Sequence, residues 1–330
     1  MRSPAAWPSL ADEVQLADTL FGRRGYGLLA SWLEGEAARV NDQDFARLFS
    51  DHIDLPGVVA DDYLHRSIRT SQGTVLGGIR FKGRDINRPF VEIIVHSFDD
   101  LDRLRDCVRQ EWSMFAPPLL RLRTRPGRIT GANVVLDRSI YLARYRDMHP
   151  PVGHISLEPF EQLEAAAALV RARYQRLAAD DPELARNVAP ASTEDLRLWH
   201  ESGQLRAVRR RDTVVGLIAV APSQIRWIDG DEINEEVINV EHRGNGYAAL
   251  AQTLWAAQVA RDQSRLLVGT IDRLNISSRK TAERAGRQSA DADRRRPVAR
   301  RGDGGAVDLP HASAGRPLPR RGTFPAGAFS

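Results

Sequence analysis

The chain has 330 residues, 42% of them hydrophobic, a formal net charge of +4 and one cysteine, Cys107. This length allows two domains, each with a sizeable buried core, and the single cysteine excludes an internal disulfide framework and thiolate zinc sites. Residues 1 to 20 lack an apolar stretch of signal-peptide length, and no apolar run reaches about 18 residues, so we expect a cytoplasmic protein with no membrane partner.

The positive charge is concentrated at the C-terminal end of the chain. Residues 288 to 330 contain eight arginines and four aspartates, an excess equal to the net charge of the whole chain. This segment is rich in Arg, Pro, Gly and Ala and has no hydrophobic period, so we expect a disordered tail. Its arginine clusters have no interleaved aromatic residues, and nucleic acid is therefore not the expected partner.

The first half of the chain combines helical and strand patterns. Apolar positions three and four apart predict helices within residues 1 to 50, and later segments alternate or are rich in β-branched residues. Strands are predicted at 74 to 83, 89 to 98, 119 to 127 and 132 to 145, with an amphipathic helix at 99 to 115.

A break at residues 147 to 153, with two prolines and a glycine, precedes a second unit of similar element order. Its strands are predicted at 154 to 160, 204 to 212, 213 to 222, 235 to 242 and 265 to 272, and its helices at 161 to 178, 192 to 203, 247 to 261 and 276 to 286. The predicted fold class is α+β, with two units that each have a mixed central sheet flanked by helices. The predicted boundaries are 1 to 149, 150 to 287 and the tail from 288 to 330.

A glycine-rich loop joins a predicted strand to a predicted helix in the second unit. Residues 241 to 248 read EHRGNGYA, in which Gly244 and Gly246 follow Arg243. Glycines let the backbone approach a ligand closely, and the first turn of a helix leaves N–H groups that can bind an anion. The loop therefore predicts a phosphate-binding site.

The loop resembles the pyrophosphate motif Q/R-x-x-G-x-G/A of the GCN5-related N-acetyltransferase (GNAT) superfamily, with Arg243, Gly246 and Ala248 in the defining places. Downstream, Asn275 and Ser278 match the family's N-x-x-S/A pattern, so the resemblance covers roughly residues 152 to 287. It implies acetyl-CoA as co-substrate and acyl transfer to an amine. The first half resembles a degenerate GNAT unit, because its strand-to-helix junction lacks the loop and carries acidic residues, namely Asp99, Asp100 and Asp102.

The resemblance also implies roles for individual residues. Those implied to bind the cofactor are Ile238, Asn239, Val240, Arg243, Gly244, Asn245, Gly246, Tyr247, Ala248, Asn275 and Ser278. The pantetheine arm would pair with the strand edge beside Ile238 to Val240, and a backbone N–H there would hold the oxyanion. Val240 is accordingly implied as a catalytic residue.

An alkyl amine must lose a proton before it attacks a thioester, because its ordinary pKa is about 10.4. The candidates for the base are Glu235, Glu236 and Glu241, which lie on or just after the predicted strand. Strand alternation puts Glu236 on the same face as Ile238 and Val240, which favours it as the catalytic base. A surface role for all three acids stays open.

Several positions are assigned no catalytic or metal-binding role, and others depart from the family pattern. His242 is interpreted as a packing or surface residue, and no metal is expected because no H-E-x-x-H-like spacing occurs. Ala282 stands where the family usually has the tyrosine that protonates the leaving thiolate, and Arg287 stands where it has phenylalanine. The two strands that usually close the sheet are not recognisable after residue 287.

The sequence thus predicts an N-acyltransferase that passes an acetyl or other short acyl group from acyl-CoA to an amine by direct attack. The expected partner is a small-molecule or peptide amine, and a homo-oligomer stays open. The alternative is a non-catalytic CoA-binding protein derived from a GNAT enzyme, which the missing tyrosine and closing strands favour.

Overall fold

A computed structural model describes residues 3 to 130 and 134 to 298, which fall into two compact units. Unit 1 is formed by Met1–Thr124 and Arg128–Val135 and takes up the chain again from Asp293. Unit 2 is formed by Arg125–Gly127 and Leu136–Ala292.

Unit 1 packs helices on a four-stranded sheet. Its helices are α1 (Ala11–Phe21), α2 (Arg23–Ala38), α3 (Gln43–Ser50) and α4 (Leu101–Glu111). Its strands, in spatial order, are β1 (Arg66–Thr70), β2 (Gly73–Phe81), β3 (Pro89–His96) and β4 (Leu119–Thr124). The first three are antiparallel and β4 is parallel to β3, so the sheet is mixed. Its core combines aliphatic and aromatic side chains, and the Phe49 and Tyr63 rings stack there at 5.6 Å between centroids.

Unit 2 has a larger mixed sheet. Its helices are α5 (Leu163–Asp180), α6 (Pro182–Ala185), α7 (Thr193–Glu201), α8 (Tyr247–Leu254) and α9 (Ile276–Arg284). Its strands are β5 (Val135–Arg144), β6 (Ser156–Pro159), β7 (Leu205–Arg210), β8 (Thr213–Ile225), β9 (Ile228–Ile238) and β10 (Leu266–Asp272). Strand β11 (Gln288–Pro297) begins in unit 2 and belongs to unit 1 from Asp293. These strands lie in the order β11-β5-β10-β9-β8-β7-β6. Of the pairs from β5 to β6, only β9 with β10 is parallel.

The fold class predicted from the sequence is confirmed: the protein is α+β, with mixed sheets flanked by helices. The division between the units nevertheless differs from the predicted boundary between residues 149 and 150. Strand β5 belongs almost entirely to unit 2, because it pairs antiparallel with β10 from Leu266↔Arg144 to Asp272↔Arg138. These strand-to-strand hydrogen bonds place β5 in unit 2, although β5 precedes the predicted boundary in the chain.

The start of the predicted tail is a correction. Residues 288 to 297 form strand β11, where the sequence predicts disorder. The strand is anchored at both ends by buried residues, since Arg287 is 4% exposed, Val298 is 3% exposed, and the Val298 N–H donates to the Pro118 carbonyl at 2.9 Å. Its polar sequence, QSADADRRRP, hides the strand because it lacks apolar alternation. The rest of the predicted tail, from 299 to 330, lies outside the described residues.

Unit 1 buries a histidine among charged side chains. The His65 ring is 1% exposed; its Nδ1 lies 2.9 Å from the Glu36 carbonyl and its Nε2 lies 2.7 Å from Nη2 of Arg80. This geometry requires Nδ1–H to donate to the carbonyl and Nε2 to accept from the guanidinium, which is the neutral tautomer. Burial first, and the positive charge of Arg80 second, lower the pKa of His65 well below its ordinary value.

We therefore expect unit 1 to be acid-labile through His65. In the unfolded chain this histidine takes up a proton near pH 6.5 while the folded form resists it, so stability present above that pH is lost as the pH falls. The free energy of unfolding should fall by up to about 1.4 kcal/mol per pH unit below about pH 6. Urea unfolding at pH 7.5, 6.5 and 5.5 measures this. His65→Gln should flatten the dependence, whereas the exposed His52→Gln should not; parallel curves for all three proteins would contradict the assignment.

Candidate functional site

The site is built around the end of strand β9. Strands β8 and β9 form a long hairpin, in register from Ile225↔Ile228 to Gly216↔Ile238. The register shifts by one residue where Val220 pairs with Ile233 and Ala219 pairs with Glu235, so Asn234 is the extra residue of a β-bulge. A bulge bends the strand and re-aims the residues that follow it.

Strands β9 and β10 are paired only before the bulge. Their parallel register consists of Leu267↔Asp231 and Val268↔Glu232, although β9 continues to Ile238 and β10 to Asp272. After Glu232, the edge of β9 that faces away from β8 is therefore no longer paired with β10. An open strand edge can pair with an extended ligand.

The glycine-rich loop follows directly. Residues Val240–His242 form a 3-10 turn, so the strand predicted to run to residue 242 ends at Ile238. The Asn239 N–H still donates to the Val215 carbonyl at 2.9 Å, which continues the pairing with β8 by one position. Both Gly244 (φ +82°) and Gly246 (φ +75°) adopt left-handed backbone conformations, and a Cβ at either would meet no atom within 4 Å. The loop is a shallow open cradle that only glycine forms without strain.

Helix α8 begins at the end of this cradle. Gly246 is its N-cap residue, no side chain caps it, and the Leu250 N–H makes the first helical bond, to the Gly246 carbonyl at 3.0 Å. The amides of Tyr247 and Ala248 thus lie at the uncapped, partially positive end of the helix. Asn245 steadies the loop, since its Nδ2 donates to the His242 carbonyl at 3.0 Å. The open cradle and the uncapped helix end fit a diphosphate group.

The corresponding junction in unit 1 is arranged differently. Strand β3 leads to α4, and there the Asp100 carboxylate accepts from the Asp102 N–H at 2.7 Å. The helix end is thus capped by a carboxylate of its own chain, which also repels an incoming anion.

The two residues of the second motif sit at the start of α9. Asn275 is its N-cap residue, and its Oδ1 accepts from the Ser278 N–H at 3.2 Å. Asn275 therefore caps helix α9, a structural role that the sequence motif alone does not distinguish from cofactor binding.

Glu236 lies on the α8 side of the sheet. Its side chain is only partly accessible to water, and both carboxylate oxygens accept from Nε2 of Gln252 on α8, each at 3.0 Å. Gln252 in turn accepts from Nε of Arg287 at 3.1 Å. Burial raises the pKa of Glu236 to about 7, and the Gln252 hydrogen bonds and the positive charge of Arg287 oppose this rise only in part.

The other predicted acids are placed differently. Glu235 is buried on the opposite face, where its carboxylate accepts from the Ala191 N–H at 3.0 Å. Glu241 is exposed in the 3-10 turn. Val240 projects its side chain into solvent, being 40% exposed, and His242 is half-buried.

Sequence reasoning missed one further acid, Glu232. It stands at the last paired position before β9 and β10 separate, and Ser223 donates to its carboxylate at 2.7 Å. Burial raises its pKa above the ordinary value. It was missed because the strand was predicted to start at residue 235; the available indication was the pair of isoleucines, Ile225 and Ile228, that flank a two-residue hairpin loop.

The two departures from the family pattern have physical explanations. Ala282 is fully buried in a small cluster with Tyr141 of β5, so the Tyr141 ring occupies the room beside it. Arg287 lies beside Gly269 of β10, where a Cβ at residue 269 would be 3.0 Å from its Nη1. Both depend on β5 and β10 being neighbours.

In the part of the chain that the structure describes, no group of three or more His, Cys, Asp or Glu side chains is arranged to hold a metal ion. None of the helices in residues 3 to 130 and 134 to 298 has the length and apolar character needed to cross a bilayer.

No protein-family model and no curated protein sequence matches the chain. Many of the solved structures that resemble it are GNAT-family acetyltransferases, the family that the motifs indicate. A GNAT-family acetyltransferase from Colwellia psychrerythraea is 11% identical, with a TM-score of 0.46 over 80% of this chain and 96% of its own. GCN5-related N-acetyltransferases from Sphaerobacter thermophilus and Kribbella flavida are 14% and 13% identical, with TM-scores of 0.44 and 0.37. They match 91% and 71% of this chain and 95% and 89% of their own.

The position of Glu236 predicts an unusual titration. With selectively ¹³C-labelled glutamate, one side-chain carboxyl resonance should titrate with a midpoint near pH 7 and be absent from Glu236→Gln. Gln252→Leu should move that midpoint higher, because a hydrogen bond to the charged form is lost. A spectrum in which every glutamate titrates near its ordinary pKa of about 4.3 would refute the burial argument.

Proposed function

We propose that the protein is an acyl-CoA N-acyltransferase of the GNAT type, which uses acetyl-CoA or another short acyl-CoA. The observation that carries the proposal is the conjunction of the parted β9 edge, the open glycine cradle and the uncapped start of α8. These three features follow one another along the chain and match the parts of one ligand: an extended amide-bearing arm and a diphosphate.

Within this proposal, the loop from Arg243 to Ala248 binds the diphosphate through backbone amides and the Arg243 guanidinium. Ile238 to Val240 lie beside the thioester, and the Val240 N–H is the proposed donor to the oxyanion. The Asn239 N–H is committed to the Val215 carbonyl, which favours Val240 over its neighbour. Asn275 and Ser278 are proposed to contact the rest of the cofactor.

The reaction needs a base for the amine proton. A base is most effective when its pKa is near the working pH, and the pKa of Glu236, raised to about 7, meets that requirement. Gln252 holds the Glu236 carboxylate in position by a hydrogen bond, and Glu236 would stay beside Gln252 after it has taken up the proton of the amine. Once Glu236 has taken a proton from the ammonium, the neutral amine nitrogen bonds to the acyl carbon and forms the tetrahedral oxyanion. The carbon–sulfur bond then breaks, the sulfur leaves as a thiolate, and the extra proton on the nitrogen passes through solvent to the sulfur. Glu232 is the second candidate, because it stands where the strands part.

The alternative function is a CoA-binding protein without turnover. It is favoured by Ala282, which offers no hydroxyl to protonate the leaving thiolate, and whose buried side chain packs beside Tyr141. A thiol has an ordinary pKa of about 8.5, so a thiolate is able to leave without an acid, although more slowly.

Acetyl-CoA binding tests the cradle. Calorimetry should show that Gly246→Glu abolishes binding, because it places bulk and negative charge where the diphosphate lies and adds roughly 1–2 kcal/mol of backbone strain. Gly57→Glu is a matched control: Gly57 is exposed, has a nearly equal φ of +77° and has equally open space around it. The control should bind normally. Equal affinities for the two variants, or no binding by the folded wild type, would refute the proposed site.

Thiol release against a panel of small and peptide amines tests catalysis. We expect kcat/KM to rise with a midpoint near pH 7 and Glu236→Gln to lower it by about 100-fold or more with acetyl-CoA affinity retained. If Glu232→Gln instead causes this loss, Glu232 is the base. Tight acetyl-CoA binding with no thiol release for any amine would favour the non-catalytic alternative.

A further inference from the structure

Unit 2 has a wide, solvent-open surface cavity of about 340 Å³ that the proposed transferase chemistry does not use. Its walls come from the end of α9, from β5 and from β11, and they include Tyr141, His149, Glu283, Arg287, Gln288 and Ser289. No residue of the glycine-rich loop lines it. Its volume falls in the range of small-molecule pockets, at the small end.

Two residues of opposite charge, Arg287 and Glu283, line this cavity. Arg287 is 4% exposed, and its guanidinium is fixed by Nε donating to Gln252 at 3.1 Å and Nη1 donating to the Tyr141 carbonyl at 3.5 Å. Glu283 is exposed, and its Oε1 accepts from the Tyr141 hydroxyl at 3.1 Å. Both charged groups are thus oriented by neighbouring hydrogen-bonding groups before any ligand arrives, which lowers the entropy lost on binding.

The backbone around the cavity is also specialised. Gly286 has a φ of +92°, and a Cβ there would come within 2.9 Å of the His149 nitrogen. The His149 N–H donates to the Ala285 carbonyl at 3.2 Å, and its Nδ1 lies 2.9 Å from the Arg284 carbonyl. The left-handed backbone at Gly286 joins α9 to β11, with Glu283 before it and Arg287 after it on the wall of the same cavity.

We propose that this cavity binds a free α-amino acid, whose carboxylate is held by Arg287 and whose ammonium is held by Glu283. A simple anion would be repelled by the carboxylate of Glu283, and a simple cation would be repelled by the guanidinium of Arg287. A zwitterion satisfies both groups, and charge-assisted hydrogen bonds at both ends make the recognition specific. Ser289 and Gln288 add uncharged polar groups to the wall.

The residues that line this cavity are different from those proposed to bind acetyl-CoA. Arg287 nevertheless contacts Gln252, which bonds to Glu236 of β9. The buried guanidinium therefore serves two neighbours, the carboxylate of Glu236 through Gln252 and the proposed ligand carboxylate.

The test is calorimetry on the full-length protein without acetyl-CoA, using the free L-amino acids one at a time. At least one amino acid should bind, and its N-acetyl derivative and its amide, which lack the ammonium and the carboxylate respectively, should each bind about tenfold more weakly or worse. Glu283→Gln, an isosteric change on the exposed side of α9, should lower the affinity about tenfold. Glu194→Gln, an exposed change on α7, should leave it unchanged.

Three results would overturn the proposal: no binding by any free amino acid, equal binding of the blocked derivatives, or equal affinities of the two variants. Because acetyl-CoA is absent from this experiment and the Gly246→Glu variant keeps the cavity, failure here does not affect the transferase proposal. Failure of acetyl-CoA binding likewise leaves the amino-acid result to stand by itself.

Discussion

The separation of β9 from β10 is the constraint on which the candidate site depends. Each of the two strands is held on its outer edge, β9 by the long β8 hairpin and β10 by β5, while only two residue pairs join them to each other. The bulge at Asn234 shifts the register by one residue and bends β9, while β9 stays paired with β8 on both sides of the bulge. The glycine-rich loop and α8 begin where the freed strand ends, so the cradle, the helix terminus and the open edge share one location.

Buried charge is the second theme of both units. In unit 1, Arg80 is fully buried against His65; in unit 2, Glu236 and Arg287 are joined through Gln252. Such groups are costly to desolvate, and removing one partner leaves the other uncompensated, so they are a weak source of stability. Their burial instead changes the pH at which they gain or lose a proton. It lowers the pKa of Arg287 to about 10 and raises that of Glu236 to about 7. The β9 carboxyl can therefore change charge at neutral pH.

Much of the fold followed from local patterns, and the failures have a common cause. The Ser192 capping box and the periodicity of α5 and α7 act within a few residues, and the sequence predicted these helices. Strand β11 and the early start of β9 were missed, because their polar residues, such as Asp229 and Asp231, are stabilised by partners far along the chain. Asp231, for example, accepts from the Tyr145 hydroxyl at 2.8 Å and is paired with Arg265. No local window contains those partners.

The sequence by itself determined the glycine-rich cradle, since a left-handed backbone at Gly244 and Gly246 is a local property of glycine and needs no distant contact. It also determined the acidic cap at the start of α4, because Asp100 bonds to an amide two residues away. Only the tertiary structure decided that β5 lies beside β10, that Glu236 has a near-neutral pKa and that Arg287 and Glu283 line one cavity. These features arise from hydrogen-bonded strand registers and from desolvation, and both depend on groups that folding brings together from separate parts of the chain.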